Sequence, residues 1–308
     1  MLERRQFAIA ELRNELYTGY ASYRGSTRKE EVGMPEDMKT TVASATSVRS
    51  VPREVRYDKG THWRAKLGFI VIATDLVMEE NIFRLAPEGV GTSITRLRTA
   101  NDCTVANLAV HIDGMADAAS ILQPEARPDV VCYACTSGSI VIGEDRVMAE
   151  IARGAPWAQP ATLVTGVVNA LRRLEARRIV VATPYLDEIN TMEAEFLRAK
   201  GFEVLDIQGL NVEDGEAMGR ITPSYIRDFA LSVDREDADA IFVSCGGIRT
   251  LDVLQEIEDA AGKPVVCSNQ GMMWDCLRRA GIDDAIDGYG RLFQLDWIDT
   301  PSAAAAAG

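Results

Sequence analysis

Cys135 and Cys245 each close an apolar run and open a turn rich in glycine and hydroxyl residues, in D-V-V-C-Y-A-C-T-S-G-S (129–139) and D-A-I-F-V-S-C-G-G-I-R-T (239–250). Two thiols on similar turns can serve opposite faces of one small substrate: a thiolate takes a proton or adds to a double bond, and a thiol returns a proton. Thr136, Ser137 and Ser139 supply hydroxyls beside Cys135, and Gly138 lets backbone approach a ligand closely. Where such a turn opens a helix, free N–H groups and the positive end of the dipole stabilise both a thiolate and a substrate carboxylate. Gly246 and Gly247 would form an anion-binding nest after Cys245. A glycine pair also serves any tight turn, and a strand-end cysteine is often no more than a small buried hydrophobe.

Other chemistries lack their parts. The two histidines, His62 and His111, are remote in sequence from every serine or cysteine motif, so a Ser-His-Asp or Cys-His hydrolase is not expected. Gly288-Tyr289-Gly290 is a bare G-x-G and no phosphate-binding loop is present, so no nucleotide cofactor is expected. Cys132 and Cys135 are formally C-x-x-C, but Cys132 falls inside a strand and no second close Cys/His pair exists, which argues against a redox pair or a metal site. Cys103, Cys267 and Cys276 have ordinary neighbours and are assigned to packing.

The elements that must position the thiols are legible as an alternation of β-branched runs with amphipathic helices, the pattern of parallel sheets covered on both faces. Strands are expected at 67–73, 91–96, 130–133, 161–163, 178–182, 203–207, 240–244 and 264–267, with helices over 169–177 (Leu171 and Leu174 inward) and 191–200, the latter stopped by Gly201. Each cysteine turn follows an Asp-initiated strand and precedes a helical segment, a weak internal echo. In open α/β sheets ligands bind beyond the carboxyl ends of strands, where both thiols would lie. Residues 1–65 read as a polar extension after one short helix through Ile9, Leu12 and Leu16, and 296–308 as an alanine-rich tail.

With 308 residues, 47% hydrophobic and 26% charged, the chain suits an ordinary soluble protein of two modest domains. Its net charge of −13 disfavours nucleic acid and anionic membranes as partners. No apolar stretch approaches the roughly 18 residues of a spanning helix, and the N-terminus is no signal peptide. A cytoplasmic enzyme with unpaired cysteines is expected, and a homo-oligomer.

Several motifs carry a specific resemblance: C-T-S-G-S at 135–139, A-T-P-Y-L-D-E-I-N at 182–190, E-A-M-G-R at 216–220, V-S-C-G-G-I-R-T-L-D at 243–252 and G-Y-G-R-L-F at 288–293. From about Leu67 to Phe293 the chain resembles the aspartate/glutamate racemase superfamily, in the branch holding maleate cis-trans isomerase, arylmalonate decarboxylase and the ectoine-utilisation protein A. The resemblance implies an α/β fold of two pseudo-symmetric flavodoxin-like domains (66–168 with 281–295, and 169–280) and an active site between them. It implies that Cys135 and Cys245 are catalytic with Tyr185, and that Thr136, Ser137 and Tyr185 hydrogen-bond a carboxylate and its enolate-like intermediate. Thr74, Asp75, Gly246 and Gly247 complete the substrate-binding set, with no metal or cofactor.

The decarboxylases of this branch carry glycine at the first cysteine position, so Cys135 argues against simple decarboxylation. The expected activity is cofactor-independent isomerisation of a small carboxylate, maleate isomerase-like, with racemisation or epimerisation of an amino-acid-like or ectoine-derived compound as the alternative. A non-catalytic carboxylate-binding module would not need both cysteines, Tyr185 and the Thr-Ser pair. One departure bears on the substrate: maleate isomerases carry Ser-Ser-Asn after the first strand, whereas here A-T-D-L (73–76) puts Asp75 in the asparagine's place. A carboxylate there would repel a dianion and suit an ammonium, unless it caps the helix beginning near Met78.

Overall fold

The computed structural model describes residues 49–123 and 125–295. The expected helix through Ile9, Leu12 and Leu16 and the alanine tail lie outside them. The chain divides into compact units at 1–56 and 57–308. Of the first unit, the described residues 49–56 are exposed and carry no helix or strand.

The second unit contains two four-stranded parallel sheets. One is built from β1 (Ala65–Ile72), β2 (Val90–Leu97), β3 (Val130–Tyr133) and β4 (Gln159–Thr162), in the order β2-β1-β3-β4. The other is built from β5 (Arg178–Thr183), β6 (Glu203–Gly209), β7 (Ala240–Val243) and β8 (Val265–Cys267), in the order β6-β5-β7-β8. The second order repeats the first, so β3 and β7, which precede the two cysteines, occupy corresponding central places. All eight strands fall within a few residues of those expected. β3 and β7 are buried at every position, as strands covered on both faces must be. Fully burying a side chain such as Phe69 or Phe242 contributes roughly 1.5–3 kcal/mol.

Two helix boundaries differ from expectation. The helix expected over 169–177 spans Leu163–Arg173, started by the Thr162 hydroxyl accepting from the Thr165 N–H, and Leu174 is its partly exposed terminus. The helix expected over 191–200 begins a turn earlier, spanning Asp187–Ala199, with acidic residues in its first turn. Gly201 follows it at φ +94°, a conformation that favours glycine.

The helices that follow the last strand of each sheet, Leu163–Arg173 and Ser268–Arg279, pack on each other at backbone distance. A Cβ on Gly166 would sit 2.8 Å from the Gly271 carbonyl oxygen. Glycine at both positions therefore lets the two helices approach this closely.

Candidate active site

β3 and β7 deliver their turns to one partly open cleft. Its wall includes Cys135, Thr136 and Ser137 from the first turn and Cys245, Gly246 and Gly247 from the second. Thr74 and Asp75, beyond β1, and Tyr185, beyond β5, complete it. All nine residues singled out in the sequence thus meet at one place, each beyond the carboxyl end of a strand.

The two thiols are not equivalent. Cys135 is extended (φ −146°) and immediately precedes the helix Thr136–Ile142. Its sulfur accepts from the Gly138 N–H at 3.3 Å and lies 3.7 Å from the Ser137 hydroxyl. Burial is the largest influence on this thiol and holds its pKa above the ordinary value, with Gly138, Ser137 and the Tyr133 hydroxyl acting downward. The expected helix-start stabilisation is present but outweighed by burial.

Cys245 has no helix behind it; a turn leads instead to the short 3-10 segment Thr250–Asp252. The helical echo drawn from the sequence holds at the second turn only further on, in the helix Leu254–Ala261, so no helix starts at Cys245 itself. The Gly247 N–H (3.3 Å) and the Tyr185 hydroxyl act downward on this sulfur's pKa, but burial pushes it well above the thiol range. Cys245 itself has φ +98°, whereas Gly246 and Gly247 do not take positive φ. Gly246 is needed for space: a Cβ there would meet the Met78 side chain at 2.4 Å. A non-glycine residue in such backbone costs of order 1–3 kcal/mol and persists only where its surroundings over-determine it.

Several of those surroundings are invisible in the sequence. The Ser268 hydroxyl oxygen accepts from the Cys245 N–H (3.0 Å) and from the Thr136 hydroxyl (2.9 Å), tying the two turns to one atom. The Thr136 hydroxyl proton is committed to that bond. Beside it, Ser244 donates to the Glu193 Oε1 at 2.7 Å, while Oε2, buried, has no partner among the described residues. Burial raises the Glu193 pKa to about 7. Tyr185 does not cap the following helix: its hydroxyl lines the cleft and favours the ionised form of Cys245, and burial keeps the hydroxyl itself protonated.

Two assignments made from sequence change. Cys103, expected in packing, lines the cleft, its sulfur 3.9 Å from the Ser137 hydroxyl, and burial pushes its pKa up to about 12. The overlooked signal is Cys103-Thr104 just beyond β2, the same dipeptide as Cys135-Thr136. His111, remote in sequence, is near in space. Its Nδ1 is 2.6 Å from the Tyr133 hydroxyl, which hydrogen-bonds Cys135, and its Nε2 is 2.6 Å from the Thr99 hydroxyl. Burial lowers the His111 pKa to about 4, so the ring is neutral and orients Tyr133. Cys132, by contrast, stays within β3 beside Cys276, away from Cys135's role.

Asp75 does two things. Its Oδ1 accepts from the N–H groups of Val77 and Met78, both at 2.7 Å, and so caps the helix Met78–Leu85 as anticipated. Its Oδ2 lies beside Gly247 in the cleft wall. Burial raises its pKa against the pull of the two amides. Arg96 anchors the loop through the carbonyl oxygens of Ile72, Ala73 and Asp75 while pairing with Glu79.

Two repeated parallel sheets with a cysteine on each matching turn define the aspartate/glutamate racemase-like class of α/β protein. Within it, the model of the arylmalonate decarboxylase family matches residues 104–293, and the chain belongs to that family. It is 35% identical to arylmalonate decarboxylase of Bordetella bronchiseptica over 187 residues, 59% of this chain and 78% of the relative. It is 29% identical to maleate isomerase of Nocardia farcinica over 186 residues, 58% of this chain and 74% of the relative. A cysteine-to-serine variant of the Nocardia farcinica maleate cis-trans isomerase, solved with a covalently bound succinylcysteine intermediate, has the same fold. It superposes with a TM-score of 0.69 at 24% identity, over 74% of this chain and 98% of its own.

Proposed function

We propose that this protein is a cofactor-independent isomerase of a small carboxylate in which Cys135 and Cys245 act together. The observation that supports it is the convergence of the two thiols, with the Tyr185 hydroxyl, on one cleft from matching turns. Their inequality assigns roles. Cys135, at the start of the helix Thr136–Ile142 with the Gly138 N–H on its sulfur, is the nucleophile, and Cys245, at which no helix starts, is the acid.

In the forward half, the Cys135 thiolate adds to one alkene carbon while the Cys245 thiol gives its proton to the other. A C–S and a C–H bond form, the π bond is consumed, and the carbons rotate about a single bond. The reverse half returns the proton to Cys245 and expels Cys135 from the trans product. Charge developing on the substrate carboxylate is met by the Ser137 and Tyr185 hydroxyls and the N–H groups of the first turn. Removing one such donor costs roughly 2.7–4 kcal/mol in comparable sites. The succinylcysteine adduct of the Nocardia farcinica enzyme supports this chemistry, and a thiol at position 135 weighs against decarboxylation despite the family's name.

The matched placement of the thiols also favours a second possibility, racemisation or epimerisation, in which one thiolate takes an α-proton and the other thiol returns one. Incubation with maleate and with amino-acid substrates in D2O, followed by NMR and chiral chromatography, separates the two. Fumarate selects isomerisation, and deuterium at an inverted α-carbon selects racemisation. Full activity in both Cys135→Ala and Cys245→Ala would exclude the two-thiol mechanism.

A further inference from the structure

We propose that the substrate carries one carboxylate and, where a dicarboxylate would place its second, a hydrogen-bond donor such as an ammonium or amide group, received by Oδ2 of Asp75. The inference rests on the cleft being the seat of the two-thiol chemistry. Asp75 is only 7% exposed, yet only half of its carboxylate is used. Oδ1 is saturated by two backbone N–H groups, whereas Oδ2 has no donor among the described residues and lies in the cleft wall beside Gly247. Oδ2 is left on the cleft wall, where a donor on the ligand would hydrogen-bond it.

The charge of the lining agrees. None of the described residues lining the cleft is an arginine, lysine or histidine, and Asp102 adds a second carboxylate to the wall. Arg96, beside the Asp75 loop, is spent on carbonyl oxygens and on Glu79 and is not part of the lining. A dianion would bring its second charge towards Asp75 with no cation to offset it. A monocarboxylate with a donor at that end meets one group of the opposite character at each end of the cleft.

The neutral steric counterpart of a carboxylate is a carboxamide, so succinate with succinamate, and maleate with maleamate, form matched probes. The saturated pair reads binding alone, as protection of the cleft thiols of the full chain against alkylation, followed by mass spectrometry. Succinamate is expected to protect at a concentration at least about tenfold lower than succinate, since like charges at close range disfavour the dianion. Asp75→Asn keeps an oxygen for the Val77 and Met78 amides and turns the free position into a donor, so the preference should vanish or reverse. Should that variant not fold, the wild-type ratio decides alone. Equal or better protection by succinate, or protection by neither probe, would overturn the inference. Turnover separates it from the parent proposal. Protection by succinamate without isomerisation of maleamate leaves the donor site standing and removes the isomerase. Isomerisation of maleate as fast as maleamate does the reverse.

Discussion

Glu193 offers the sharpest physical test, because a single atom change removes a single titration. Its carboxyl is wholly buried beneath the Cys245 turn, with Oε1 bonded to Ser244 and Oε2 unpartnered. Burial moves its pKa from 4.5 to about 7. Between those values the folded protein still holds the proton that the unfolded chain has released. Stability therefore falls as pH rises from about 4.5 and levels off above about 7, the reverse of the usual carboxylate behaviour. At roughly 1.4 kcal/mol per pH unit the full loss is about 3 kcal/mol. Glu193→Gln matches the protonated acid in shape and in its hydrogen bond to Ser244, so the two proteins should be equally stable near pH 4.5. The variant should then become more stable by about 3 kcal/mol at pH 8. Urea unfolding of both proteins at intervals from pH 5 to 8.5 gives the difference curve, in which every other titrating group cancels. A curve flat with pH, or a variant less stable at pH 8, would refute the account of Glu193 as a carboxyl held neutral by burial.

Two further substitutions address how the turns are held. Ser268→Ala strands the Cys245 N–H and the Thr136 hydroxyl together, so a loss of about 2–4 kcal/mol in urea unfolding is expected, with kcat/KM falling by more than Ser268→Thr, which retains the acceptor. In Gly138→Ala the new methyl would lie 2.2 Å from the Tyr133 hydroxyl, which His111 holds in place. Overpacking of about 1–3 kcal/mol should exceed the roughly 1 kcal/mol helix gain of alanine over glycine. Net destabilisation by calorimetry and slowed alkylation of Cys135 are the expected readouts.

Much of this was legible in the sequence, for identifiable reasons. The eight strands show because sheets buried on both faces demand dense β-branched runs, and the nine site residues because strand ends are where such folds place ligands. The helix Leu163–Arg173 was mistimed because L-V-T-G-V-V is buried nearly all round, and a fully apolar segment carries no periodicity to mark its start. The second turn misled because its glycines suggested backbone freedom at 246 and 247, whereas the positive φ falls on Cys245 and Gly246 answers to crowding by Met78. Ser268, Glu193, Tyr133 and His111 carry no local signal at all. Their roles arise only when segments from both sheets meet, and Asp75 could be read as a cap or a ligand because it is both.

The backbone at Cys245 sets selection for stability against selection for chemistry. Glycine is the one residue that occupies φ +98° without penalty, so replacing this cysteine with glycine would be expected to relieve the backbone while removing the thiol. At Cys135, extended at φ −146°, no such pull exists, and either residue fits the backbone equally. Selection for thermal robustness alone would therefore act against the second thiol and leave the first untouched.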